Sequence, residues 1–174
     1  KGSELYTVRI RDLASGQNLG DEIPDTHGSL EWSSDGRTLF YIKVDEHQRP
    51  LFVYSHVLGT PVSEDKLVYE EKDSGFFVGL SATQSQKFIL IDIHDHDTSE
   101  VRLIDADAPD AEPRLVAPRR VQHQYSVEHH GQHLIIATNS NGAEDFRVVI
   151  APIASPGEEN WREIVAHKPG RLIL

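Results

Sequence analysis

Asp65 to Ile91 reads DKLVYEEKDSGFFVGLSATQSQKFILI. Two short apolar runs, Leu67-Val68-Tyr69 and Phe76-Phe77-Val78-Gly79-Leu80, are split by the charged segment Glu70-Glu71-Lys72-Asp73 and by Ser74-Gly75. A third run, Phe88-Ile89-Leu90-Ile91, comes after a polar turn. The first run reads as the end of one sheet and the next two as the start of another. The same handover recurs at Arg114-Leu115-Val116-Ala117, Pro118-Arg119-Arg120 and Tyr125-Ser126-Val127. It recurs again at Trp161-Arg162-Glu163-Ile164-Val165, His167-Lys168-Pro169-Gly170 and Leu172-Ile173-Leu174. Self-similarity at a fixed period marks a repeat architecture and has to be settled before any single element.

Working outward, Glu4 to Leu13 alternates apolar and polar residues as a strand does. Ala14 to Gln17 is a turn. Leu19 to Ile23 is a weaker strand, and Pro24 and Gly28 set it apart from the first full repeat unit. Ser29 to Ser33 and Thr38 to Val44 flank Ser34-Asp35-Gly36, where the glycine supplies the positive φ of a hairpin turn. TLFYIKV is nearly continuous in apolar residues, which suits a strand buried on both faces. Pro50 to Leu58 and Lys66 to Glu70 complete this unit. The next runs through Phe76–Leu80, Lys87–Ile93, Glu100–Asp105 and Arg114–Ala117. The third runs through Tyr125–Glu128, His133–Thr138, Phe146–Ile153 and Trp161–Val165.

Leu39, Phe88 and Leu134 fall on equivalent second strands, 49 and 46 residues apart. A four-stranded propeller blade takes about 40–50 residues. The fold class expected is therefore all-β, a partial β-propeller of four-stranded antiparallel blades. Residues 1–28 are expected to give the outer strands of one blade. Residues 29–73, 74–120 and 121–168 give three whole blades, and 169–174 the start of another. A sandwich is the other fold considered, and it explains the period poorly. The missing methionine and the apolar run at Leu172-Ile173-Leu174 lead to the expectation that the chain is a fragment of a larger protein. Uncovered blade faces at the ends of such a stack predict self-association, or terminal segments folded over them.

Lys plus Arg number 17 and Asp plus Glu 28, a net charge of −11. This balance argues against nucleic acid and anionic membranes as partners. No run approaches the ~18 apolar residues of a membrane span. There is no cysteine, which removes disulfides and thiol nucleophiles and fits a reducing, cytoplasmic setting.

No G-x-S-x-G elbow and no glycine-rich phosphate loop are present. His94-Asp95-His96-Asp97 has zinc-type donors, with His94 and His96 on one face of an extended segment, but coincides with an expected turn. His129-His130-Gly131 occupies the hairpin position of Ser34-Asp35-Gly36, and His123 and His133 sit at strand ends or turns. Asp105, Asp107, Asp110 and Glu112 lack the central glycine and terminal glutamate of a calcium loop. Asn141-Gly142 is a hairpin dipeptide. Arg119-Arg120 reads as a solvated or ion-paired connection between blades, with anion binding as the alternative. Trp32 and Trp161 are expected to fill space between blades. No metal, no cofactor and no catalytic residue is expected in this chain.

GSELYTVRI at Gly2–Ile10, EDKLVYEEKD at Glu64–Asp73, TSEVRLIDAD at Thr98–Asp107 and DAEPRLVAPRR at Asp110–Arg120 carry a further signal. In these segments the chain resembles the oligopeptidase B (protease II) group of the prolyl oligopeptidase family of serine peptidases. The resemblance runs in order from Gly2 to about Lys168. It implies a hydrolase of two domains, a seven-bladed propeller covering an α/β-hydrolase domain that holds a Ser-Asp-His triad. It further implies cleavage of short peptides after Arg or Lys, with the propeller excluding folded proteins. The triad belongs to the hydrolase domain, so no catalytic residue is carried onto this chain. Tyr69-Glu70-Glu71 and Pro118-Arg119 match recurrent family segments without an assigned role. The partners implied are that hydrolase domain and short basic peptides. Two rival readings are a stand-alone propeller scaffold for protein partners and a metal-binding repeat module. No Trp-Asp dipeptide closes a repeat, which counts against the scaffold.

Overall fold

The computed structural model describes residues 4–173. Three antiparallel sheets succeed one another along the described chain. The first has five strands in sequence order: β1 (Tyr6–Arg11), β2 (Asn18–Trp32), β3 (Thr38–Val44), β4 (Pro50–Val57) and β5 (Lys66–Glu70). The second holds β6 (Phe77–Ala82), β7 (Phe88–His94), β8 (Ser99–Asp105) and β9 (Arg114–Leu115). The third holds β10 (Tyr125–His130), β11 (His133–Thr138), β12 (Arg147–Pro152) and β13 (Arg162–Val165). The only helical pieces among the described residues are 3-10 turns of three residues each. The all-β, partial-propeller expectation is met. Leu39, Phe88 and Leu134 lie on β3, β7 and β11, interior strands of three different sheets.

Burial on both faces explains the continuous apolar runs. On β7, Ile89, Ile91 and Ile93 join Phe40, Ile42 and Val53 of the first sheet in one core. The alternate residues Phe88 and Leu90 join Leu134, Ile136 and Val149 of the third sheet in another. β3 divides its side chains likewise, with Phe40 and Ile42 on one face and Leu39 and Tyr41 against Val8 and Ile23 on the other. Period-two alternation survives, but both phases are apolar because both faces meet a neighbour.

The tight turns use the expected residues. Gly36 has φ 65° in the β2–β3 hairpin and Gly131 φ 62° in the β10–β11 hairpin. Asn141 and Gly142, at φ 59° and 75°, turn the chain between β11 and β12.

Two expectations are corrected. The break foreseen around Pro24 and Gly28 is absent, because β2 runs through both residues. The register with β1 slips between Ile23 and Thr26, where Asp25 takes φ 56°. The register with β3 slips again between Thr26 and Leu30. Two bulges therefore absorb the proline and the glycine without ending the strand. Thr26 pairs with both Tyr6 and Lys43, so β2 passes from one partner to the other inside a single element. The second correction is at the end of the chain. Leu172 and Ile173 form no strand, and the Ile173 amide donates to the Asp145 carbonyl instead. Leu174, and the residues Gly2 and Ser3 of the resemblance, lie outside the described residues.

Candidate functional site

The seam between the first two sheets carries buried charge. Beyond β9 and Pro118, Arg119 reaches back across that seam. The Arg119 guanidinium donates to Glu71 Oε2, lies 3.5 Å from Glu100 Oε2, and stacks 4.1 Å from the Phe76 ring centroid. Glu71 is nearly sealed from solvent, as is Glu100. Glu71 also accepts from the Tyr69 hydroxyl at 2.8 Å and the Asp73 amide at 2.8 Å. Burial alone would raise the Glu71 carboxyl, but these bonds, led by Arg119, hold it below the usual range. Burial and the Glu71 contact push the Tyr69 phenol up to about 12. Arg102 completes the group, bonding Glu100 at 3.0 Å and lying over the Tyr69 ring at 5.1 Å. Arg119 thus belongs to an ion-paired connection, as expected. Arg120 bonds Glu158 at 3.0 Å.

The next seam is closed by a phenol. The Tyr125 hydroxyl donates to the Ala117 carbonyl at 2.6 Å and accepts from the Val101 amide at 2.8 Å and the Ala117 amide at 3.2 Å. Trp161 packs edge-on to Tyr125 and donates to the Pro156 carbonyl at 2.8 Å, a filling role as expected. Trp32 departs from expectation. It is 41% exposed, because it ends β2 beside Ala82, Gln86 and Ile89 at an open crevice.

A second charged cluster escapes sequence reading. His56, with 0% of its side chain exposed, places Nδ1 2.7 Å from Asp65 Oδ1 and Nε2 3.1 Å from Asp21 Oδ1. Tyr41 donates to Asp65 Oδ2 at 2.7 Å, and the Gly59 amide donates to Asp21 Oδ1 at 2.6 Å. The only sequence signal is phase: His56 continues the aromatic face of β4 set by Phe52 and Tyr54, where a solvated residue would not be placed.

The histidines and acidic residues singled out in the sequence do not converge. His94 ends β7 and lies tilted against Phe77, while Asp95 Oδ1 accepts from the amides of Asp97 and Thr98 in a tight turn. His96 contributes its carbonyl to Gln124. Asp105 caps the Asp107 amide, Asp107 pairs with Lys87 and Asp110 with Lys66. His123 is buried against Tyr125 and Trp161 beside Thr138, and burial, then the Arg120 charge, pushes its imidazolium down. His130 and His133 pair across a hairpin. Among the described residues no group of three or more His, Asp or Glu is arranged to hold a metal ion.

One serine does meet a histidine, which the sequence does not signal. Ser85 Oγ lies 2.7 Å from His129 Nδ1, and His129 Nε2 donates to the Gly131 carbonyl at 2.8 Å. The neighbouring amides of Gln84 and His129 both donate to Glu128, so neither is free to face an oxyanion. Ser85 also bonds Thr83 in the β6–β7 turn, as Asp35 bonds Ser33 in the β2–β3 turn.

These features define a class: successive antiparallel sheets packed face to face, tied at their seams by ion pairs, in an open β-propeller section. Residues 1–173 match the family model described as "Prolyl oligopeptidase, N-terminal beta-propeller domain", and the chain belongs to that family, one of serine peptidases. It is 39% identical to dipeptidyl aminopeptidase BI of Pseudoxanthomonas mexicana over 96% of this chain and 23% of that protein. It is 42% identical to Protease 2 of Moraxella lacunata over 87% of this chain and 22% of that protein. The structure of oligopeptidase B from Leishmania major superposes with a TM-score of 0.88 at 31% identity, over 95% of this chain and 23% of that one. The chain thus spans under a quarter of the length of these relatives. Among the described residues no helix is long and apolar enough to cross a membrane.

Proposed function

We propose that this chain is the substrate-gating, non-catalytic propeller portion of an oligopeptidase-B-like serine endopeptidase that cuts short peptides after Arg or Lys. The single observation that carries the reading is the superposition on oligopeptidase B along 95% of the chain. The partner in the same polypeptide is an α/β-hydrolase domain, and the location is the cytoplasm. Two local arrangements support a non-catalytic role. Both ring nitrogens of His56 are occupied by carboxylates. His129 touches a serine, but the nearest amides are committed to Glu128. A serine peptidase needs nucleophile, base and oxyanion donors together.

The gate works by exclusion. The opening left by the packed sheets sets the width of what enters. The test is a length series of peptides carrying one Arg-Arg site, offered to the full-length protein. Short peptides are cut on the carboxyl side of Arg, and the same site inside a folded protein is spared. Equal cutting of the folded protein overturns the gate, and cutting after residues other than Arg and Lys overturns the specificity.

A further inference from the structure

We infer that Asp21, His56 and Asp65 form a protonation-gated latch that fastens the β1–β2 strap to the first sheet. The latch is closed while His56 is an imidazolium and opens when the ring loses its second proton as pH rises.

The strap is β1 with the first half of β2. Residues 18–23 of β2 pair with β1 alone, and the strap meets the rest of the sheet through Val8 and Ile23 on Leu39 and Tyr41. Asp21 is its polar tie, reaching across to His56 on β4 and to the Gly59 amide. The bond pattern fixes where protons sit. Burial would raise the Asp21 carboxyl, but the Gly59 amide and His56 hold it below the usual range, so as a carboxylate its Oδ1 accepts from His56 Nε2. Asp65 accepts from Tyr41 through Oδ2 and faces His56 Nδ1 through Oδ1. A ring that donates at both nitrogens is an imidazolium. The charged groups acting on it are Asp65 from the turn before β5 and Asp21 from β2, with Tyr41 of β3 behind Asp65. All three side chains of the latch are shielded from water, so salt screens them little.

Burial would push the His56 imidazolium down, but the bonds to Asp65 and Asp21 outweigh it and raise it above the ordinary value. A raised histidine stabilises fully below its unfolded pKa, and that contribution is lost as pH rises through its folded pKa. Loss of the proton leaves a lone pair facing a carboxylate inside the protein, and the strap is the element free to move away.

The experiment uses the full-length protein. Histidine-selective ¹⁵N labelling reads the ring: two protonated nitrogens at neutral pH are expected for His56. Hydrogen exchange, corrected for intrinsic rates, then compares β1 with β11 as pH rises. From the ordinary histidine pKa up to the folded one, β1 protection falls by up to about tenfold per pH unit and then levels off, while β11 holds. Asp21→Asn removes one counter-charge, and the release moves down by about one pH unit. A neutral His56 ring at pH 7, including one bonded to a protonated Asp65, overturns the latch. So does β1 exchange that tracks β11 throughout, or an Asp21→Asn protein with an unchanged midpoint. Should that variant fail to fold, the two wild-type measurements still decide.

Discussion

Arg119 holds two nearly buried carboxylates on one guanidinium, and removing it leaves Glu71 without a counter-charge while Glu100 keeps Arg102. Arg119→Ala is expected to destabilise the protein by about 3 kcal/mol, since breaking a buried ion pair leaves uncompensated charge. Chemical denaturation of both proteins checks this, and Glu71→Gln added to Arg119→Ala should recover part of the loss. Asp92 presents the opposite case. Burial pushes its carboxyl up, and the 2.7 Å bond from Ser81 only partly offsets this. A carboxyl raised in the folded state stabilises fully below its unfolded pKa, and that stabilisation is lost as pH climbs through the folded value. Asp92→Asn should therefore match the wild type near pH 4 and exceed it in stability at pH 7, as thermal melts at the two values would show. At this scale the sequence was least legible. It marks Arg119-Arg120 as a pair, but Glu71 lies 48 residues away and no local pattern selects it over the other carboxylates. His56 was invisible because its partners Asp21 and Asp65 arrive from other elements 35 and 9 residues distant.

At the scale of elements the sequence was read with small errors, because strand burial leaves a periodic trace. β3, β5 and β11 fall on Thr38–Val44, Lys66–Glu70 and His133–Thr138 as read, β2 merges two strands read separately, and the other strands shift by a residue or two at their ends. What failed was punctuation. Pro24 and Gly28 read as stops because they weaken regular ladders, whereas here they sit at bulges where no ladder bond is asked of them. The central strands carry the cores, so their cost of truncation should be high. Ile91→Ala, fully buried on β7 between two sheets, should lose about 3–4 kcal/mol, while Leu13→Ala, 90% exposed, should stay within about 0.5 kcal/mol. Urea titration of the two variants distinguishes them, and equal losses would mean that β7 is not the shared wall of two cores.

At the scale of the molecule, repetition made the architecture legible, while the role of the stack depended on likeness to longer proteins. The sheets do not close on themselves, and the last one presents Ile164 and Val165 half exposed. A surface of that kind is what a neighbouring blade would cover. The net charge of −11 suits an approach by basic peptides, though charge alone names no substrate. Labour is divided in the proposed enzyme, with gating here and bond cleavage elsewhere in the polypeptide. To test this division, the full-length protein is treated with an active-site-directed serine reagent and the labelled peptide is mapped. The expected result is stoichiometric labelling that abolishes Arg-Arg peptide cleavage, on a serine outside residues 1–174. A label within these residues, on Ser85 for instance, with activity lost in proportion, would contradict it.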